Sequence, residues 1–353
     1  MISSVFLFPY YLALKVQNRL YDSGRIKSVE HAVPVISVGN VTAGGTGKTP
    51  MVEYLAGVLQ GGQRVAVLSR GYKRKSKGFR LVEAEDTAGQ AGDEPLQVKR
   101  KFPDVLVAVD KDRNHGVEQL LALPEDRRPD VVLLDDGFQY RRLKPQLDVV
   151  LVDYSRPVFQ DNLLPIGTLR DLPEQIGRAG VVVVTKCPKG LDEWDRTQYR
   201  QQLRLRADQP LFFASLKYSD PQPVFRWEGD KRYIYSKEVF LFSGVADDRP
   251  IRAYLADRYT RIDHKRFGDH HDFTRADIRR LRAYARRNPR ALLLTTEKDA
   301  QRLLHCRWLN EEVRRRLFYL PVEHEFLTWD EMLAFETRIR AEVPEKHPDG
   351  CLF

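Results

Sequence analysis

The sequence predicts an α/β protein: a doubly wound, mostly parallel sheet, joined by a β-ribbon linker to a second, smaller α/β domain. Three observations carry that prediction. The runs at 131–134 (VVLL) and 181–184 (VVVV) are apolar at every position, as strands buried on both faces by crossover helices must be. From residue 33 to about 215 such runs alternate with stretches of helical periodicity, the repeat of a parallel sheet. At 353 residues the chain also has the length of two domains, at roughly 150 residues each.

The first element, within residues 1–30, is an amphipathic helix. Pro9 suits a first helical turn and Gly24 a helix end, and between them Leu12, Val16 and Leu20 recur every four residues beside Lys15 and Arg19. Such a helix either lies in a membrane interface or docks on its own domain, and the apolar Phe6, Leu7 and Phe8 favour the membrane. A secretory signal would place positive charge ahead of the apolar stretch and a cleavage site after it, and neither is seen. No apolar run reaches the roughly 18 residues that a spanning helix needs.

A first domain over 31–215 takes strands at 33–38, 64–68, 105–109, 131–134, 149–152, 181–184 and 211–214, with helices such as 51–60 and 112–123. Residues 216–236, rich in Pro, Asp and aromatics, read as the linker. In 237–353, strands near 239–242, 291–295 and 317–320 combine with helices near 251–258 and 275–287. A last helix at about 328–343 packs on either domain.

Charge narrows the partners. The 58 Lys and Arg against 49 Asp and Glu leave +9, compatible with an anionic substrate, an acidic membrane surface or nucleic acid. The three cysteines, Cys187, Cys306 and Cys351, show no C-x-x-C spacing, so neither a disulfide framework nor a cysteine zinc site is expected, and a reducing cytoplasm fits.

The strongest motif is VPVISVGNVTAGGTGKTP. A buried strand ends at Gly39, a loop carries Gly44, Gly45, Thr46 and Gly47, and Lys48-Thr49 opens a helix. Glycines let successive backbone N–H groups turn inward around phosphate oxygens, and the helix N-terminus adds its dipole. Lys48 would neutralise phosphate charge and Thr49 would ligate Mg²⁺, although Thr42 stands where the general pattern has glycine. In PDVVLLDDGFQ, Asp135 and Asp136 end a buried strand, the place of the carboxylate that holds Mg²⁺ on a nucleotide. Together these make the first domain P-loop NTPase-like. Guanine recognition needs N/T-K-x-D, but Pro188 follows Thr185-Lys186 where Asp is required, so ATP is favoured.

Beyond the loop, SVGNVTAGGTGKTP, LSRGYKRK, AGDEP, DKDRNHG, LLDDGFQYRRL, LLPIGTLRD, LFSGVADDRP, FGDHHDF and TTEKDAQRL occur in that order over most of the chain. This set resembles the tetraacyldisaccharide 4′-kinase family, the lipid A 4′-kinases of Gram-negative bacteria, whose own loop has the form GNxTxGGTGKT.

The resemblance implies phosphorylation by ATP and Mg²⁺ of the 4′-hydroxyl of an acylated glucosamine disaccharide 1-phosphate. It further implies that Asp93 of AGDEP is the general base and that His270 of DHHDF tunes it. Lys48 and Arg113 join the catalytic set, Asp135 and Asp136 hold metal, and Glu94, Gln139, Arg70 and Arg170 support the site. Without it, Asp93-Glu94-Pro95 reads as a helix N-terminus and His270-His271-Asp272 as a polar loop. The chemistry asks for these types, since a sugar hydroxyl needs a positioned carboxylate and the moving phosphoryl group needs cations. With Asp93 and His270 in different domains, the pair is expected to require closure across the linker.

An acylated substrate also explains the basic run of Arg64, Arg70, Lys73, Arg74, Lys75, Lys77 and Arg80 as a contact for anionic lipid. No nucleic-acid-binding motif accompanies it, and no obligate protein partner is evident. The expected location is peripheral, on the cytoplasmic face of the bacterial inner membrane. Two other readings are a P-loop enzyme acting on a small molecule and a non-catalytic, membrane-peripheral nucleotide switch.

Overall fold

The computed structural model describes residues 2–245 and 247–343, with side chains from Phe8 onward. Cys351 and the side chains of Phe6 and Leu7 lie outside the described residues. The first strands are β1 (Val35–Gly39), β2 (Val65–Ser69), β3 (Arg80–Leu81), β4 (Leu106–Val109), β5 (Val131–Asp135), β6 (Leu147–Asp153), β7 (Val181–Thr185) and β8 (Leu211–Tyr218). A second group, β9 (Gln222–Pro223), β10 (Glu238–Ser243), β11 (Arg261–Arg266), β12 (Leu292–Thr296) and β13 (Leu317–Leu320), forms its own sheet in the order β11-β10-β12-β13-β9. The chain then returns as β14 (Val322–Phe326) to complete a nine-stranded sheet in the order β14-β8-β7-β6-β1-β5-β2-β4-β3.

Strands β8, β7, β6, β1, β5, β2 and β4 run parallel, and antiparallel β14 and β3 close the two edges. β1, β2, β5 and β7 are buried at every residue, so both faces must be covered. On one face lie α2 (Lys48–Leu59) and α4 (Asp93–Lys101), the latter entered through the short α3 (Ala88–Ala91). The other face carries α1 (Ile2–Asp22), α5 (Arg113–Leu121) and α6 (Glu193–Gln202). The second sheet packs with α7 (Arg249–Ala256), α8 (Arg275–Arg287), α9 (Glu297–Leu303) and α10 (Glu311–Arg316). The last helix, α11 (Trp329–Arg340), places Phe335 and Ile339 in the core of the first sheet.

Two boundaries differ from the expected ones. The ribbon that links the lobes is not confined to 216–236: β8 runs on to Tyr218 and pairs antiparallel with β14, Val322 opposite Tyr218, so the two crossings between the lobes lie side by side. Those partners are a hundred residues apart, beyond any local pattern. Residues 322–343 accordingly belong with the first lobe: the last helix takes the first of its two expected places, and β14 goes with it rather than with 237–353. In α1, Pro9 lies inside the helix rather than opening it, because residues 2–8 contain no Gly or second Pro to stop an upstream turn. β11 (RIDHKR) is an edge strand with mostly exposed side chains, which is why no apolar alternation marks it.

Candidate active site

The loop between β1 and α2 is shaped by backbone that only some residues tolerate. Gly44 and Gly47 sit at φ +101° and +89°, and a Cβ on Gly47 would come within 2.8 Å of the His324 ring. Asn40, buried at the loop base, donates from Nδ2 to the hydroxyls of Thr42 (3.2 Å) and Thr46 (2.7 Å). Thr185 Oγ1 donates to the Thr46 carbonyl at 2.8 Å. Burial pulls the His324 imidazole down to about 4, so the ring is neutral and its Nε2–H donates to the Gly47 carbonyl at 2.8 Å. No side chain caps α2, which leaves its first N–H groups free for an anion. Gly45 is exposed, and Thr49, in the first turn of α2, is partly exposed.

The two aspartates after β5 have different surroundings. Asp136, at φ +55°, receives Arg170 through two hydrogen bonds, one of 2.9 Å from Nη1, and Lys48 Nζ lies 3.7 Å away. Burial raises its pKa, but Arg170, Lys48 and Arg113 outweigh that and hold it far below the carboxylate range. Asp135 is buried with no side-chain hydrogen bond or ion pair among the described residues. Burial first, then the charges of Glu94 and Asp136, push it up to about 7. A buried carboxylate in want of a cation fits an Mg²⁺ ligand. Arg113 is buried over the Tyr140 ring at 5.5 Å and bonds the Asp110 and Lys111 carbonyls, with its charge bearing on both aspartates. Gln139 Nε2 donates to the Asn40 carbonyl, bracing the loop from below. Arg70 is exposed just past β2, close enough for its charge to bear on Arg113.

Asp93 opens α4 and meets the second lobe. His270, at φ +58°, places Nδ1 2.9 Å from Asp93 Oδ2. Its Nε2 lies 2.9 Å from the ammonium of Lys298, which also pairs with Glu94 at 3.1 Å. An imidazole that accepts from an ammonium at Nε2 carries its proton on Nδ1, so His270 donates to Asp93. Arg302 Nε and Nη2 add contacts of 2.6 to 2.9 Å to the same carboxylate. The Tyr72 ring packs on His270 at 4.9 Å. Burial raises the Asp93 pKa, but the bonds from His270 and Arg302 prevail and hold it below its usual value.

Asp93 and His270 are therefore joined in this structure, with no further closure needed to bring them together. Sequence reasoning missed Lys298 and Arg302, although both lie in the TTEKDAQRL segment. Their i, i+4 spacing on α9 was the available signal, because it puts both cations on one helix face. The basic run of 64–80 thins out: Arg64 is paired with Asp130 and Arg80 with Asp86, and Arg74 bonds Ser76 and the Gly78 carbonyl.

With β1, the glycine loop and α2 in sequence, and Asp135 at the tip of the neighbouring strand, the first lobe is that of a P-loop kinase. The family model for tetraacyldisaccharide-1-P 4′-kinase matches residues 2–342. The chain belongs to the tetraacyldisaccharide 4′-kinase family, phosphotransferases that act on an alcohol group. It is 41% identical over 323 residues to the tetraacyldisaccharide 4′-kinase of Parabacteroides distasonis, spanning 90% of this chain and 88% of that one. Against that of Bacteroides fragilis strain YCH46 the identity is 39% over 351 residues, spanning 97% and 93%. The crystal structure of LpxK from Aquifex aeolicus in complex with ATP aligns with a TM-score of 0.71 at 31% identity, covering 96% of this chain and 99% of that one.

Proposed function

We propose that the protein transfers the γ-phosphoryl group of ATP to the 4′-hydroxyl of tetraacyldisaccharide 1-phosphate in lipid A synthesis, with Asp93 as general base. The observation that carries this reading is Asp93 itself, a carboxylate kept ionised at the lobe junction by His270 and Arg302. An ionised carboxylate can take the hydroxyl proton as the new P–O bond forms. His270, bonded through Nδ1 to Asp93 and through Nε2 to Lys298, orients Asp93 and steadies it through that transfer. Lys48 and the loop N–H groups hold the nucleotide phosphates, and Arg113 and Arg170 bring positive charge to the developing phosphoryl oxygens. Asp135 and Thr49 would hold Mg²⁺, which neutralises phosphate charge when bound. Asp136, already held by Arg170, serves to orient that arginine. With the Asp93 side chain only 1% exposed, the acceptor enters while the lobes are apart.

No described helix is long and apolar enough to cross a membrane. Four acyl chains do not leave a bilayer readily, at about 0.8 kcal/mol for each CH₂ exposed to water, so the enzyme works at the lipid surface. In α1, Phe8, Leu12 and Val16 are 60%, 46% and 48% exposed, an outward apolar stripe suited to the cytoplasmic face of the inner membrane. The test is Mg²⁺-ATP transfer to tetraacyldisaccharide 1-phosphate in detergent micelles, wild type beside Asp93→Asn. Transfer by the wild type with a collapse of kcat in the variant is expected. Lipid-independent ATP hydrolysis in place of transfer would overturn the reading.

A further inference from the structure

The outward face of α1 is apolar; its inner face packs Tyr10, Tyr11 and Leu14 on the core and also makes polar bonds to a segment that touches the phosphate loop. Asn18 and Asp171 are both buried, and Asn18 Nδ2 donates to Asp171 Oδ1 at 3.0 Å. Tyr10 Oη donates to the Arg170 carbonyl at 3.1 Å. Arg141 locks the same helix from the side, bonding the Asn18 carbonyl (3.2 Å), Asn18 Oδ1 (3.1 Å) and Asp22 (2.7 Å).

Residues 168–171 run along the loop as a rail. The Ala43 N–H donates to the Thr168 carbonyl at 2.6 Å, and the N–H groups of Arg170 and Asp171 donate to the Val41 carbonyl at 2.9 and 3.3 Å. Thr42 and Leu169 form an antiparallel bridge between them. From this rail the Arg170 side chain reaches both Asp136 and Asn40 Oδ1. Helix, rail, arginine and phosphate loop thus form one hydrogen-bonded chain.

We propose that Asn18 and Tyr10 are positioning residues for phosphoryl transfer: they press the 168–171 rail against the phosphate loop and so set Arg170 on Asp136 and Asn40. The inference rests on the kinase reading for its turnover measurement but not for its nucleotide-binding measurement. It gives the surface helix a second task besides attachment. Placement of the arginine matters because displacing a catalytic group by about 1 Å costs on the order of a hundredfold in rate.

The experiment exchanges the two partners. Asn18→Asp sets two carboxylates against each other in a buried site, whereas Asn18→Asp combined with Asp171→Asn restores an amide–carboxylate bond in the reverse sense. kcat and KM for Mg²⁺-ATP are measured with detergent-dispersed acceptor, and Mg²⁺-ATP affinity is measured by calorimetry without acceptor. The single variant should lose roughly tenfold to a hundredfold in kcat and bind nucleotide more weakly, and the exchanged pair should recover most of both. A dock that is only structural would lower Tm and leave nucleotide affinity and kcat alone, which overturns the proposal. A loss that the exchanged pair does not recover also overturns it. If Asn18→Asp fails to fold, Tyr10→Phe decides, since it deletes one hydroxyl: weakened nucleotide affinity supports the proposal and unchanged affinity overturns it. Wild-type protein that binds Mg²⁺-ATP without phosphorylating the lipid would sink the kinase reading and leave the affinity measurements to judge the brace.

Discussion

Arg302 of the second lobe grips Asp93 of the first, with Nε 2.9 and 2.8 Å from the two carboxylate oxygens and Nη2 2.6 Å from one of them. The same arginine reaches back to the His270 carbonyl and to Asp272, so it ties the histidine loop to the carboxylate that the loop serves. The carboxylate proposed as the base is thereby held by groups from both lobes, and its proton affinity depends on whether they are together.

Arg302→Ala should lower kcat and shift the acid limb of the kcat/KM profile to higher pH. The sign follows from the charge: Arg302 and His270 hold Asp93 below its usual pKa against the effect of burial, so removing Arg302 lets that pKa rise and protonates the base earlier as pH falls. Arg302→Lys should shift the limb less. A profile recorded from pH 5 to 9 decides, and an unmoved limb would show that Arg302 does not act through Asp93.

The two aspartates after β5 should separate on metal titration. Asp135→Asn removes the unpaired buried carboxylate and should raise the Mg²⁺ concentration needed for half-maximal rate by tenfold or more, on the order of 1.4 kcal/mol for each tenfold. Asp136→Asn instead frees Arg170, and should lower kcat with a smaller change in Mg²⁺ demand. Equal shifts for both variants would assign the metal to the pair rather than to Asp135.

Stability should depend on pH through Glu297 at the start of α9. It is buried beside Glu53 and Lys101, accepts from the Val322 N–H, and leaves Oε2 without a partner; burial, then the Glu53 charge, push its pKa from 4.5 to about 7. A carboxyl raised on folding contributes stability that is complete below the unfolded pKa and is lost as pH rises through the folded one. Glu297→Gln should therefore raise Tm at pH 8, leave it unchanged near pH 4.5, and flatten the decline between them. Calorimetric scans across that window test it.

Attachment should rest on the outer face of α1. Leu12→Ser with Val16→Ser removes two half-exposed apolar side chains and should weaken binding to anionic phospholipid vesicles by roughly tenfold or more, given about 1.5–3 kcal/mol for each fully buried side chain. Vesicle flotation measures this, and turnover on detergent-dispersed acceptor should change little.

How much of this was legible depended on how locally each feature is encoded. The phosphate loop and the Asp135–Asp136 pair lie in contiguous strand–loop–helix patterns, and β5 and β7 at the centre of the large sheet were marked by the unbroken apolar runs VVLL and VVVV. Asp93 and His270 lie 177 positions apart, and only the family's motif order pointed to them as partners. Arg302 and Lys298 went unread, because their target is set by how the second lobe folds back. β14 and the inner face of α1 were illegible for the same reason: Asn18 looks like any polar helix residue until Asp171 is beneath it.

The return of the chain through β14 and α11 reverses the order in which the lobes can be finished during synthesis. Residues 222–320 hold all five strands of the smaller sheet, so that lobe is complete once they have left the ribosome. The nucleotide lobe begins far earlier, yet until residues 322–340 emerge β8 is a bare edge, the core lacks Phe335 and Ile339, and Gly47 lacks His324. A nascent chain stalled before residue 322 has emerged would thus carry a finished accessory lobe on an unfinished engine, with the phosphate loop still waiting for its last support.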